Sequence, residues 1–337
     1  MRKSLKDLGI RVGRLSPGPT DSIVDVPGIA VGHVTLSRGE GSLKVGVGPV
    51  RTGVTVVVPP GEVWPWPAAV HVINGYGKSV GLMQVAELGQ LESPIFLTNT
   101  LSVAAVLQGY LEHLRARGLF HPNQSRNVVV GECNDGYLND LWGFAVMPEH
   151  AVAALAAAST APPAQGSVGA GTGMAGFGHK GGIGSASRRL PDGRLLGVLV
   201  LLNCGKAEDL VTLAGPPRAG GPSGVSDGSI IIVMATDAGL DRWDVARVAR
   251  RASHGLARVG AHSASGSGDV VVAVDVGEPR SDSAQHDLDP LFLAAAEATE
   301  AAIWNALLTA DPVVGRDGHV LHALPTDWAP GAPERPT

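Results

Sequence analysis

The chain has 337 residues, of which 44% are hydrophobic, 17% charged and 4% aromatic, with 46 glycines and 24 prolines. That composition allows a large core of Ala, Val, Leu and Ile joined by many tight turns, and it argues against disorder except at the ends. The net charge of -5 comes without a basic block, which argues against a nucleic-acid-binding surface.

The N-terminal Met1-Arg2-Lys3-Ser4-Leu5-Lys6-Asp7 has charges but no apolar run behind them, so it does not read as a signal peptide. No uninterrupted apolar stretch of about 18 residues is present, so no membrane span is expected. Cys133 and Cys204 lie far apart and fit no metal spacing, which reads as two free thiols in a reducing compartment. The expected location is the cytoplasm.

In chain order, Ser22-Val26 and Ala30-Thr35 read as short strands separated by the Pro27-Gly28 turn. Gly53-Val58 is a strand closed by Pro59-Pro60, and Val70-Ile73 is another, leading into Asn74-Gly75-Tyr76-Gly77. Leu82, Val85, Ala86 and Leu88 share one side of a helix. A brief strand at Ile95-Leu97 precedes a helix over 102–117, whose Val103, Val106, Leu107, Tyr110, Leu111 and Leu114 keep helical spacing. Asn127-Val130 is a strand running into the polar stretch 131–140, and loops at such a strand end commonly carry function. An Ala-rich helix covers 149–159. The stretch 161–187, mostly Gly, Ala, Ser and Pro, predicts close backbone approaches. Leu195-Leu202 is a strand ending at Asn203.

Next comes a loop too rich in Gly and Pro for helix or strand, 214–224, and then Ser226-Asp227-Gly228-Ser229 enters the apolar strand Ile230-Ala235. A helix is expected over 241–259 with Trp243, Ala246, Ala249, Ala252 and Leu256 inward. A strand follows at 269–276. Asp289-Pro290 starts a long helix, with Asp289 as its N-cap, that continues to Leu308. Residues 325–337 hold four prolines and read as a loose tail. Strands and helices mix without strict alternation and without repeats, which favours a layered α/β architecture with mixed sheets.

Taken alone, Ser229 reads as a cap at a loop–strand junction. A sharper reading makes it a nucleophile at the mouth of a sheet, exposed as a new N-terminus by cutting Gly228–Ser229. Three other motifs compete for attention. Gly77-Lys78-Ser79-Val80-Gly81 matches the G-x-S-x-G nucleophile elbow between a strand and a helix, with His319 or His322 as partner. It also imitates the end of a Walker A loop, but Val72 stands where the first glycine is needed. Gly171-Thr172-Gly173-Met174-Ala175-Gly176 matches G-x-G-x-x-G without the required strand before and helix after, so close backbone packing reads better. The eleven histidines include no H-E-x-x-H, and neither a metal nor another cofactor is expected. Ser265-Gly266-Ser267-Gly268-Asp269 reads either as a turn or as a hydroxyl–carboxylate relay orienting a nucleophile. A serine nucleophile needs a base. Without a suitable histidine a free α-amine serves, its ordinary pKa of roughly 7.7–8.0 being close to working pH.

Several motifs occur in one order: Ile23-Val24-Asp25-Val26-Pro27-Gly28 with Val31-Gly32-His33, Asn74-Gly75-Tyr76-Gly77, Ser93 through Thr100, Gly131 through Tyr137, Gly169 through Met174, Lys180 through Gly184, Asn203-Cys204-Gly205, Gly228-Ser229 and Gly266 through Asp269. The ordered set, spanning roughly residues 20 to 310, resembles the DmpA-type serine aminopeptidases, which include L-aminopeptidase/D-esterases and β-peptidyl aminopeptidases. The resemblance implies a single α/β domain, a four-layer αββα sandwich like that of N-terminal-nucleophile hydrolases. It implies self-cleavage into an α chain (1–228) and a β chain (229–337), and a homo-oligomer, a tetramer, of such units. By motif, Ser229 is the nucleophile, Ser267 and Asp269 orient and assist it, and Asn203 stabilises the oxyanion with Tyr137 nearby. Glu132, with Asn134, binds the substrate and its free ammonium, selecting small peptides, amides or esters with an unblocked N-terminus. The chain departs from the pattern at Lys78 (an acid expected), Leu101 (a histidine), Cys133 (a small hydroxyl residue) and Asp227, departures that bear on substrate preference and self-cleavage rate. Two alternatives are an acyltransferase of the ornithine acetyltransferase type, which resembles this family in fold but carries threonine at the cleaved position, and an inactive small-molecule-binding relative.

Overall fold

A computed structural model of the protein describes residues 2–61, 65–211, 228–279 and 287–326. The expected loop 214–224 and all but the first two residues of the expected tail 325–337 lie outside these. Strands β1 (Ala30–Arg38), β2 (Val50–Val58), β5 (Ile95–Asn99) and β6 (Val129–Cys133) form one sheet in the order β1-β2-β5-β6. The second sheet runs β4-β3-β12-β11-β10-β9, from β3 (Trp66–Gly75), β4 (Gln90–Leu91), β9 (Gly182–Arg189), β10 (Leu195–Asn203), β11 (Ser229–Thr236) and β12 (Gly268–Asp275). Two short hairpins, β7 (Ala175–Gly176) with β8 (His179–Lys180) and β13 (Val313–Val314) with β14 (Val320–Leu321), lie outside both.

Side-chain alternation along the strands builds the layers. On β11, Ile231, Val233 and Ala235 meet Leu97, Val129 and Val57 of the first sheet in one core. Ile230, Ile232 and Met234 point the other way, against α4 (Arg242–Ala249), α5 (Ala252–Arg258) and α6 (Asp289–Leu308). The first sheet repeats the arrangement: Ile95 and Leu97 face the other sheet, while Phe96 packs on α2 (Val103–Ala116) and α3 (Pro148–Ala156). The result is helix, sheet, sheet, helix, the expected αββα sandwich. The short helix α1 (Leu82–Leu88) follows β3. Among the described residues α6 is the one helix long and apolar enough to cross a membrane, and burial between the second sheet and its helical neighbours accounts for that character.

Several expectations need correction. Ser22-Val26 is a 3-10 turn, because the Asp25 carboxylate accepts bonds from the Thr20 and Ser22 backbone and from the Thr20 and Ser187 hydroxyls. Side chains of this kind offer the backbone an alternative to a ladder. The strand expected at 127–130 begins at Val129 and runs through Glu132 and Cys133, which pair with Thr98 and Asn99. The 241–259 helix breaks in two at Arg250–Arg251, and α5 then crosses α6 so closely that a Cβ on Gly255 would lie 2.4 Å from the Ala296 carbonyl oxygen. Trp243, expected inward, is 67% exposed in the first turn, with the Arg242 guanidinium over its ring. The long helix has Asp289 inside its first turn, with Leu288 at the cap. Strand β9 was not anticipated, since Gly182, Gly184, Ser185, Ala186 and Ser187 carry little strand preference.

Candidate active site

Ser229 is the first residue of β11, and its surroundings follow from register. Antiparallel pairing with β10 sets Asn203 opposite Ser229. Parallel pairing with β12 sets Asp269 beside Ile230. The last residue of one neighbour and the first residues of the other therefore meet at the start of this central strand. Ser229 is 8% exposed, and its hydroxyl accepts a 3.1 Å bond from the Gly268 backbone N–H. An added Cβ on Gly268 would lie 3.1 Å from that hydroxyl and 2.9 Å from the Gly77 Cα, so the approach needs glycine. Gly228 is held as tightly: a Cβ there would stand 1.6 Å from the Asn203 carbonyl oxygen.

Each neighbour is fixed in turn. The Asn203 Oδ1 accepts from the Ala175 N–H at 2.8 Å, which orients its Nδ2 as donor, and that nitrogen donates to the Asn134 carbonyl at 3.0 Å. The second Nδ2 hydrogen is not committed by that bond. Asp269 Oδ1 accepts from the Ile230 N–H at 3.1 Å and from the Ser267 hydroxyl at 2.5 Å. Burial raises the Asp269 carboxyl above its usual range, and the hydroxyls of Ser263 and Ser267 and the Ile230 N–H oppose this. The Asn74 side chain donates to the carbonyls of Ala264, Ser265 and Ser267, pinning the loop that carries Ser267.

Beside Ser229 opens a cavity of about 680 Å³ whose lining includes Glu132, Asn134, Tyr137, Asn203, Gly228 and Ser229. Glu132 is 3% exposed; its Oε1 accepts from the Lys78 N–H at 2.6 Å and its Oε2 from the Thr100 hydroxyl. The Tyr137 ring stacks on His319, with centroids 4.5 Å apart and planes 11° apart. Leu43, Val45, Leu141 and Trp142 give the cavity an apolar side. Ser267 and Asp269 lie behind Ser229, lining a pocket of about 20 Å³ that touches Gly228 from the other side.

All of Ser229, Gly228, Ser267, Asp269, Asn203, Tyr137, Glu132 and Asn134 thus gather around one strand end. Ser79 of the elbow motif does not: its hydroxyl is buried with no hydrogen-bond partner among the described residues, and it does not line the cavity. The glycines of 171–176 serve close packing, since a Cβ on Gly173 would lie 2.2 Å from the Arg51 carbonyl oxygen. Sequence reasoning missed Gly268 and Ala175 as backbone donors and Thr100 as the partner of Glu132. Thr100 and Gly268 lay within the ordered motifs Ser93 through Thr100 and Gly266 through Asp269, without these roles being assigned. Lys180 stood in the ordered motifs without a role: it is fully buried, and its side-chain nitrogen donates to the carbonyls of Gly171, Met174 and Gly181.

Comparison with known proteins bears on this arrangement. The family model described as peptidase family S58 matches residues 21–321. The β-peptidyl aminopeptidase BapA of Sphingosinicella microcystinivorans is 38% identical, over 95% of this chain and 89% of its own. A β-aminopeptidase structure from Burkholderia sp. superposes with a TM-score of 0.86 at 39% identity, covering 96% of each chain. The L-aminopeptidase D-Ala-esterase/amidase of Ochrobactrum anthropi, described as a prototype serine aminopeptidase and a variant of the Ntn hydrolase fold, gives 0.85 at 31% identity, over 96% of this chain and 95% of its own.

Proposed function

The chain belongs to peptidase family S58 and has the Ntn hydrolase fold, and from that premise we propose that it is an aminopeptidase whose nucleophile is Ser229, released by self-cleavage of Gly228–Ser229. The observation that carries this reading is the meeting of Ser229, Asn203 and the Gly268 N–H at one strand end, beside a cavity holding the anchored carboxylate of Glu132.

In self-cleavage the Ser229 hydroxyl attacks the Gly228 carbonyl carbon. The C–N bond breaks as the ester forms, and water then hydrolyses the ester to a Gly228 carboxylate and a Ser229 α-amine. The freed amine takes the hydroxyl proton when Ser229 attacks a substrate, acting near its own pKa. The Asn203 Nδ2 donates to the oxyanion, a contribution typically worth 10²–10³ in rate. The Gly268 N–H supports the attacking oxygen. Asp269, held by Ser267, orients the start of β11 through the Ile230 N–H, and Tyr137 borders the reacting carbonyl. Glu132 takes the substrate's free α- or β-ammonium, with Asn134 alongside, which makes the enzyme an aminopeptidase and rejects blocked termini. The β-peptidyl relatives support a β-amino unit as substrate. We further infer a cytoplasmic homo-oligomer, a tetramer of processed units, on the strength of the family pattern and of two buried free thiols.

The acyltransferase and inactive-relative alternatives are not favoured, since the relatives found are aminopeptidases and position 229 is serine. Purified protein is expected to give two bands on a denaturing gel and to release p-nitroaniline from α- or β-aminoacyl p-nitroanilides, and Ser229→Ala to give one band and no release. A single wild-type band with no turnover would overturn the reading, and loss of activity in Ser79→Ala with retention in Ser229→Ala would transfer it to the elbow.

A further inference from the structure

The scheme above leaves Lys78 unused, although its side chain belongs to the same cavity as Glu132 and Ser229. Its backbone N–H donates to Glu132 Oε1, so its side chain starts beside the carboxylate assigned to the substrate's ammonium. The two opposite charges nevertheless do not pair. The Lys78 ammonium lies 4.4 Å from the centroid of the Tyr76 ring and donates a long 3.3 Å bond to the Tyr76 carbonyl, and among the described residues it has no carboxylate at ion-pair distance. Tyr76 is itself 64% exposed. An exposed cation–π contact is weak, so a ligand anion displaces it at little cost. The wall of the cavity thus holds a buried acid engaged by two neutral donors and, on the residue whose N–H is one of those donors, an exposed cation resting on an aromatic face. One negative and one positive group lining one cavity match a ligand unit carrying one of each.

Resting on the assignment of Ser229 and Glu132 above, we propose that the preferred N-terminal unit carries a carboxylate as well as its ammonium, and that it is a β-aspartyl residue, with the ammonium on Glu132, the free carboxylate on Lys78 and the β-carbonyl at Ser229. The choice of the β-linked isomer follows from where Lys78 is attached. In a β-aspartyl unit the ammonium and the free carboxylate share one carbon, and the reacting carbonyl is one methylene away. In an α-aspartyl unit the ammonium shares its carbon with the reacting carbonyl, and the free carboxylate is the remote group. Lys78 is joined to the ammonium-binding end through its own N–H on Glu132, so it meets the carboxylate of the first isomer. A neutral β-amino unit leaves Lys78 on Tyr76 and gains nothing from it, and a second cation on the unit is repelled. The chemistry remains hydrolysis: the Ser229 Oγ–acyl bond forms as the amide C–N bond breaks, the amine leaves with the proton, and water cleaves the ester to release free aspartate and regenerate the hydroxyl.

The test compares kcat/KM for β-aspartyl, α-aspartyl and β-alanyl p-nitroanilides in wild type, Lys78→Met, Lys78→Arg and Lys78→Glu. The wild type is expected to favour the β-aspartyl over the β-alanyl substrate. Lys78→Met should lower that ratio about tenfold, Lys78→Arg should restore most of it, and Lys78→Glu should lower it further, with the wild-type ratio shrinking as salt rises. A ratio unmoved by Lys78→Met, or an α-aspartyl substrate preferred to the β-aspartyl one, overturns the proposal while leaving the aminopeptidase reading intact. Absence of turnover of all three substrates by the wild type overturns both.

Discussion

Replacing Gly228 with alanine is expected to stall self-cleavage without unfolding the protein. The new methyl would stand 1.6 Å from the Asn203 carbonyl oxygen and 2.8 Å from its carbon. Non-bonded heavy atoms settle at roughly 3.5 Å, so the backbone at 228 must retreat by on the order of 1.5–2 Å. Asn203 is poorly placed to yield, because its backbone belongs to the ladder opposite Ser229 and its side chain is tied to Ala175 and Asn134. The displacement therefore falls on the Gly228 carbonyl, the group that Ser229 must attack. A misplacement of about 1 Å costs about a hundredfold in rate, or ~2.7 kcal/mol. The strain is confined to the residue before β11, so the sandwich should remain intact. A time course from freshly purified protein, read by denaturing gel and intact mass with Ser229→Ala as the uncut reference, measures the rate. Cleavage of Gly228→Ala at the wild-type rate would refute the argument that packing against Asn203 aims the scissile carbonyl.

Other expectations follow from the same geometry. Glu132→Gln removes the charge that receives the ammonium and should lower kcat/KM for free-amine substrates by about a hundredfold; equal activity in the variant would remove Glu132 from that role. Asn203→Ala should lower kcat by 10²–10³ with a smaller effect on KM, and a change in KM alone would exclude an oxyanion role. Lys180→Met leaves the Gly181 carbonyl without the ammonium, while the Gly171 and Met174 carbonyls keep the N–H groups of Met174 and Gly181, and burial already lowers the Lys180 pKa to about 7, so the loss in urea unfolding should be about 1–2 kcal/mol; a stability equal to wild type would mean that water or a local shift replaces the ammonium. Burial lowers the His33 pKa to about 4, against the pull of the Ala164 carbonyl. The unfolded chain takes up a proton near 6.5, so folding favours the neutral ring, and its contribution is complete above that pH. It fades as pH falls from about 6.5 to about 4, amounting to roughly 3 kcal/mol. Urea unfolding at pH 7 and pH 4.5 should show this loss, and His33→Gln should flatten it; an unaltered slope in the variant would assign acid sensitivity to other groups.

Much of the fold was legible because its central strands are continuous Ile and Val runs, as at 230–233 and 270–272, which leave little choice but burial on both faces. Strand β9 was illegible for the opposite reason. Its small residues are set by the close passage of α6, where a Cβ on Gly184 would lie 1.9 Å from the Ala302 carbonyl oxygen. A contact made 118 positions away leaves no local periodicity, and the same holds for the break in the 241–259 helix beneath α6. The side chains of the site were reachable through ordered motifs. Their supports were not, because the N–H groups of Gly268, Ala175 and Lys78 are backbone donors, and a backbone donor is not encoded in the side chain that a sequence displays.

Register separates Ser229 from an ordinary strand cap. Strand β11 lies between an antiparallel neighbour and a parallel one. The antiparallel strand β10 brings its last residue to the start of β11, and the parallel strand β12 brings its first. One end of β11 therefore collects Asn203 from one side and Gly268 and Asp269, the first residues of β12, from the other, where a fully parallel sheet would bring only strand beginnings. A slip of one residue against β10 would set Leu202 opposite Ser229, replacing an amide donor with an apolar side chain directed to the other face. Because β10 and β11 are apolar on both faces, the register is set by close packing more than by pattern: at Gly197 of β10 a Cβ would lie 2.7 Å from the Ile23 Cα, so a slip that brings a larger side chain there is blocked. The packing that holds the sandwich together thus also fixes which polar groups surround the serine, so substitutions at buried positions of β10 that shift its register should impair self-cleavage before they unfold the chain.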